Sequence, residues 1–155
     1  MDSAAVRRVC LAVFRRKGAS GDTTKPFDEF RSDIQEFVTR EVGFSQSELP
    51  VVMAYSAPRH WVLVTTARVI RCREGEIFET RHGAIEQVSL DLAAAHMTGA
   101  RNKGELSSIR LSVTGVGEIS LEVEPGKPYF GLLNVLHYLR DHFRDDESMG
   151  PGPVQ

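Results

Sequence analysis

The sequence predicts an α+β fold: two helices, then seven short antiparallel strands, then one amphipathic helix. Three observations predict it. Apolar side chains recur every three or four positions from Phe27 to Val38. From Pro50 to Val123 the chain breaks into short alternating runs separated by turn residues. Finally, Tyr129, Leu132, Leu133, Leu136, Leu139 and Phe143 draw a single helical stripe. With 155 residues, 41% hydrophobic and 26% charged, the chain has enough apolar material for one domain with a real core.

Met1–Gly18 reads as a helix because Val6, Val9, Cys10, Val13 and Phe14 share one face, Asp2 or Ser3 can cap its start and Gly18 its end. Ala19–Pro26 is rich in turn residues and reads as a linker. The second helix starts at Phe27, with Asp28 and Glu29 at its positive end and Gly43 placed to stop it. The seven strands expected next are Val51–Tyr55, Trp61–Thr66, Arg68–Arg73, Glu76–Arg81, Ala84–Leu90, Leu106–Thr114 and Gly117–Glu124. The last two form the clearest hairpin: Ile109, Leu111 and Val113 alternate with polar residues, as do Ile119, Leu121 and Val123, so one face is dry and the other wet. The closing helix carries Arg140 and Arg144 toward its negative end, and the acidic, then Gly/Pro-rich segment Asp146–Gln155 is expected to be disordered. The expected division is a helical extension over residues 1–48, a strand-rich domain over 49–144 and a tail over 145–155.

Within the strands, Leu63-Val64-Thr65-Thr66-Ala67-Arg68-Val69-Ile70 is an apolar strand, a Thr-containing turn, then Arg and an apolar pair, and Ile85-Glu86-Gln87-Val88 follows later. Both runs, and the order of seven strands and one helix, resemble the bacterial pleckstrin-homology-like (PH-like) domains over about Leu49–Phe143. The resemblance implies a β-barrel of two sheets whose open mouth the final helix caps. It also implies a non-enzymatic interaction module whose partners dock on a strand edge or beside that helix, here Ile85–Leu90 with Asn134, Tyr138 and Asp141. Phosphoinositide-binding relatives place several cations in the first hairpin loop, whereas Ser56-Ala57-Pro58-Arg59-His60 offers one firm cation, so inositol lipids are not the expected ligand.

If Thr66-Ala67 and Glu74-Gly75 are two-residue turns, Leu63 faces Ile70, Trp61 faces Cys72 and Cys72 faces Ile77, which makes a sensible core face. The other face then carries Val62, Val64, Val69, Arg71 and Phe78, too apolar to be wet. The expectation is that Phe30, Ile34 and Phe37 of the N-terminal helices cover it; the alternative is a homodimer or partner surface. The partner-binding residues expected on these grounds are Arg71, Arg73 and Phe78 on the sheet, Arg101 and Lys103 in the long loop, and Tyr138 on the last helix. Arg73 is also placed to pair with Glu76 across its hairpin.

Other chemistry is weakly supported. Gly18–Lys25 lacks P-loop spacing, and neither a nucleophile elbow nor a zinc signature is present. His60, His82, His96, His137 and His142 read as solvated or capping residues, and Glu118, Glu122 and Glu124 as solubilising. No catalytic residue, cofactor or metal is expected. The net charge of −2 argues against a nucleic-acid partner, leaving a protein as the expected one. Arg7, Arg8, Arg15, Arg16 and Lys17 gather in the first helix, so peripheral binding to an anionic membrane is one alternative, and a toxin-neutralising immunity protein with acidic patches is another. Cys10 and Cys72 sit singly in apolar runs and read as reduced core thiols; with no span or signal-like segment evident, the cytoplasm is the expected compartment.

Overall fold

The computed structural model describes residues 2–97, 99 and 102–148, without the side chains of residues 103 and 145–148. Helix α1 (Ser3–Lys17) starts where the Asp2 carboxylate accepts the Ala5 N–H at 2.7 Å, and it buries Val6, Cys10, Val13 and Phe14. The segment read as a linker then contributes a strand. β1 (Thr24–Pro26) pairs antiparallel with the middle of β2 (Pro50–Ala57), Thr24 opposite Ala54 and Pro26 opposite Val52. Pro26 ends the strand at a sheet edge, where a missing N–H is tolerated.

The second helix is broken at its start. Phe27–Glu29 forms a single 3₁₀ turn, Phe30 is extended, and α2 runs only over Ser32–Val42, ending at Gly43 in the left-handed conformation. The meander β2, β3 (His60–Thr65), β4 (Arg68–Arg73) and β5 (Glu76–Arg81) completes a five-stranded sheet in the order β1-β2-β3-β4-β5. Its last turn is two residues long, with Glu74 and Gly75 at φ 53° and 84°, the handedness that matches the twist of a tight hairpin. The expected register is observed: Leu63 opposite Ile70, Trp61 opposite Cys72, Cys72 opposite Ile77.

A second sheet follows, of β6 (Ile85–Leu90), β7 (Ser108–Val113) and β8 (Gly117–Glu122) in that order. Between β6 and β7 lies a helix that the sequence reading lacked, α3 (Leu92–Met97). Helix α4 (Lys127–Ser148) continues through residues 146–148, where the sequence predicts a disordered tail; residues 149–155 lie outside the described residues. The architecture is thus α+β with two antiparallel sheets and helices. Among the described residues no ladder joins one sheet to the other, so the strands do not close into a single barrel.

Two apolar clusters hold these layers. The larger joins Val62, Val64 and Val69 of the first sheet to Ile109, Leu111 and Leu121 of the second, with Val6, Cys10, Val13 and Phe14 of α1 and the Leu132–Leu139 stripe of α4. The smaller lies on the other side of the five-stranded sheet, where Trp61, Leu63, Ile70 and Cys72 meet Phe27, Phe30, Ile34, Phe37 and Val38. The two faces are therefore exchanged relative to the sequence reading. The valine face is the inter-sheet core, and Phe30, Ile34 and Phe37 cover the Leu63–Ile70 face instead. Both faces are apolar enough to be buried, so alternation gave the register and left the direction open. Cys10 and Cys72 are both buried and unbridged. The apolar stripe of α1, which a membrane would have to receive, lies inside the protein, and no described helix is long and apolar enough to cross a bilayer.

Candidate functional site

Alternation along β4 places Val69, Arg71 and Arg73 on one face of the sheet, and their burial is graded. Val69 is 1% exposed in the core, Arg71 is half-buried and Arg73 is exposed. The inter-sheet space thus opens along β4 into a cleft of about 870 Å³, walled by β2–β4 on one side and by Ser108, Ser120 and Glu122 of the second sheet on the other. Two guanidiniums converge there on one backbone oxygen: Arg71 Nη1 and Arg73 Nη2 donate to the Ser120 carbonyl at 3.2 and 3.3 Å.

Arg71 is held in place by packing as well as by charge. Its guanidinium lies 5.6 Å from the Phe78 ring centroid, a cation–π contact, while its Nε is buried without a hydrogen-bond partner. Burial, then the like charge of Arg73, lowers the Arg71 pKa from the usual guanidinium value, against an opposing pull from Glu122. Arg73 stands opposite Glu76 in the ladder as expected, but its guanidinium reaches across to the second sheet. Among the described residues neither arginine is ion-paired.

Two acidic groups secure the elements around the cleft: buried Asp91, behind its lining, and Glu124, which lines it beside Glu122. Asp91 accepts Ser108 Oγ at 3.2 Å, Ser120 Oγ at 2.9 Å and the Ala94 N–H at 3.0 Å, so it caps α3 and ties that helix to the rim. The Ala94 N–H most of all, with the two serine hydroxyls, outweighs burial and holds its carboxyl below the usual range. Glu124, just beyond β8, accepts the N–H groups of Asp22, Thr23 and Thr24 at 3.1, 2.8 and 2.9 Å and thereby fastens β1 to the second sheet. Burial pushes its pKa up, but the three amides together prevail and the net displacement is downward. Glu124 is therefore a structural clamp rather than the solubilising side chain expected.

Of the residues expected to bind a partner, the structure brings Arg71, Arg73 and Phe78 together. Arg101 lies outside the described residues, as does the side chain of Lys103. Tyr138 is elsewhere: it stacks on His142 with ring centroids 5.8 Å apart and does not line the cleft. Beside it, Asn134 Nδ2 donates back to the Phe130 carbonyl, and Arg140 Nη2 occupies the Glu86 carbonyl on the β6 edge. Sequence reasoning missed Ser120, Met97 and Asp91. Asp91 had a usable signal, an N-cap residue directly before Leu92-Ala93-Ala94-Ala95.

A second groove, of about 610 Å³, lies where the β3–β4 turn, the β5–β6 corner and the end of α4 meet. His82, read from sequence as solvated or capping, is fully buried there. It stacks on Phe143 at 5.4 Å, has Nε2 2.8 Å from the Thr65 carbonyl and has no hydrogen-bond partner for Nδ1. Burial pushes its pKa down to about 4, the Thr65 carbonyl pulling the other way. The folded ring therefore stays neutral while an unfolded one takes a proton below about pH 6.5. Stability should fall as pH drops from 6.5 toward 4, by about 2 kcal/mol at pH 5 from this residue alone. Urea titrations across that range should show the slope, and His82→Gln should flatten it; an equal slope in the variant would refute the assignment. Below about pH 4.5, the lowered carboxyls of Glu48, Asp91 and Glu124 add a loss of the same sign.

No group of His, Cys, Asp and Glu among the described residues is arranged to hold a metal ion. The chain matches no family model, and no curated protein or solved structure matches it.

Proposed function

We propose that this chain is a non-enzymatic protein-interaction module of PH-like fold that takes an acidic segment of a partner protein into the cleft between its sheets. One observation carries the reading: Arg71 and Arg73, like charges without an ion-pair partner among the described residues, converge on a single carbonyl in a cleft of about 870 Å³. A carboxylate arriving there would relieve their repulsion and meet guanidinium donors that the Ser120 carbonyl leaves unused. The arrangement of a four-strand meander β2–β5, a three-strand meander β6–β8 and a helix supports the PH-like part of the proposal. Around the arginines the cleft presents hydroxyls, aromatic rings, aliphatic side chains and the His60 imidazole, with the carboxylates of Glu122 and Glu124 on the second-sheet side.

The test is quantitative affinity capture from the native host with the wild-type chain and with Arg73→Glu, an exposed position whose reversal leaves the core untouched. A protein carrying an acidic segment should co-purify with the wild type and be depleted roughly tenfold or more by the variant. Equal capture of that protein by both chains would overturn the proposal.

A further inference from the structure

We infer that the segment received by this cleft is bipartite, with an acidic side chain directly beside a bulky apolar one; the inference rests on the function proposed above. It comes from α3, which is almost wholly apolar in sequence and yet buries none of its residues. Its two large hydrophobic side chains are open to solvent, Leu92 at 64% and Met97 at 87% exposure. Only two other large hydrophobic residues, Ile77 and Val116, are exposed among the described residues, so two of the four sit on one six-residue helix. Exposed apolar side chains on an element that also lines a cleft, as α3 does through Ala94 and Met97, mark a contact surface.

The placement of α3 is specific. Asp91 caps it and is itself held by Ser108 and Ser120, the second-sheet serines that line the cleft. Ala94 and Met97 line the same space as Arg71 and Arg73. The cleft therefore offers cationic donors on the β4 wall and an apolar overhang at the rim. Met97 suits that overhang, because an unbranched thioether side chain adapts to apolar partners of different shape. Glu122 and Glu124 on the remaining wall disfavour a uniformly acidic occupant, since further carboxylates would face like charge. One acid for the arginines and one apolar side chain for α3 satisfy both halves.

Two short synthetic peptides of equal length and charge test this on the full chain, one combining Glu with Leu and the other Glu with Ser, using calorimetry and backbone amide shifts. The Glu/Leu peptide should bind at least tenfold more tightly and move the amides of Arg73, Ser120 and Met97. Met97→Ser, at an exposed site, should abolish the preference while weak binding of both peptides survives; Arg73→Glu should remove both. Equal affinity for the two peptides, or a preference unchanged in Met97→Ser with an unchanged melting temperature, overturns the bipartite occupant and leaves the acidic-segment reading standing. If neither peptide binds and no amide of the cleft moves, both proposals fall together.

Discussion

Replacing Arg68 with alanine should destabilise the protein by about 3–5 kcal/mol, the range for removing one partner of a buried ion pair. The other partner is Glu48, whose side chain is 1% exposed. Arg68 meets it in two-pronged fashion, Nε to Oε2 at 2.8 Å and Nη2 to Oε1 at 3.0 Å, and extends Nη1 to Glu79 at 2.6 Å. Thr65 Oγ1 and the Ser45 N–H supply the remaining donors to the carboxylate. Burial alone would raise the Glu48 pKa; the Arg68 and Thr65 bonds and the Ser45 amide reverse it, and the net shift is downward. Without Arg68 the desolvation remains and the main compensation is gone, so Glu48 should take up a proton well above its usual range. Two further results distinguish this from simple loss of packing. The deficit of Arg68→Ala measured by urea denaturation should shrink as pH is lowered, and adding Glu48→Leu should recover part of it, because no unpaired charge is then left buried. A deficit under about 1 kcal/mol at pH 7, or one independent of pH, would show that the pair does not act this way.

The Arg68 network also explains what was legible in the sequence. The run Leu63–Ile70, which carried the resemblance to PH-like domains, is here a hairpin whose turn is closed by Thr65 Oγ1 accepting the Ala67 and Arg68 N–H groups. A threonine three residues before the next strand and an arginine at its first position are local features, so a sequence reading can see them. The register of β3, β4 and β5 was legible for the same reason, since two-residue turns leave little choice of pairing. What stayed hidden depends on distant chain. β1 is three residues long and is held by Val52–Ala54 and by Glu124, about a hundred positions away in sequence. α3 has no amphipathic period to reveal it, because none of its residues is buried. The convergence of Arg71 and Arg73 could be read only halfway: alternation put them on one face with Val69, but that this face turns toward Ser120 depends on how the second sheet packs. The same ambiguity exchanged the two faces of the larger sheet.

Phe14→Ala should cost about 3–5 kcal/mol, as for deletion of a buried aromatic ring in a core that cannot collapse around the void. Residues 1–48 read from sequence as an extension applied to the outside of a strand-rich domain, yet Phe14 is fully buried in the cluster that unites both sheets. The crossing of α1 over α4 is close enough to require glycine at the C-terminal cap of α1 and within α4. A Cβ on Gly131 would lie 2.7 Å from the Phe14 ring, and one on Gly18 would lie 2.3 Å from the Lys127 carbonyl oxygen. Both contacts are below van der Waals distance, and at Gly18 the obstacle is backbone, which cannot swing aside. Gly131→Ala should therefore destabilise although alanine is the better helix former, reversing the gain of about 1 kcal/mol that the exchange brings at an unconstrained helical site. Phe14→Leu together with Gly131→Ala should be less damaging than the sum of the two changes, because a smaller side chain at residue 14 frees the space that the new methyl needs. Thermal and urea unfolding of the two single variants and the double variant measure this directly. Strict additivity, or a stabilising Gly131→Ala, would mean that α1 rests on the domain loosely and could be removed without opening the core between the sheets.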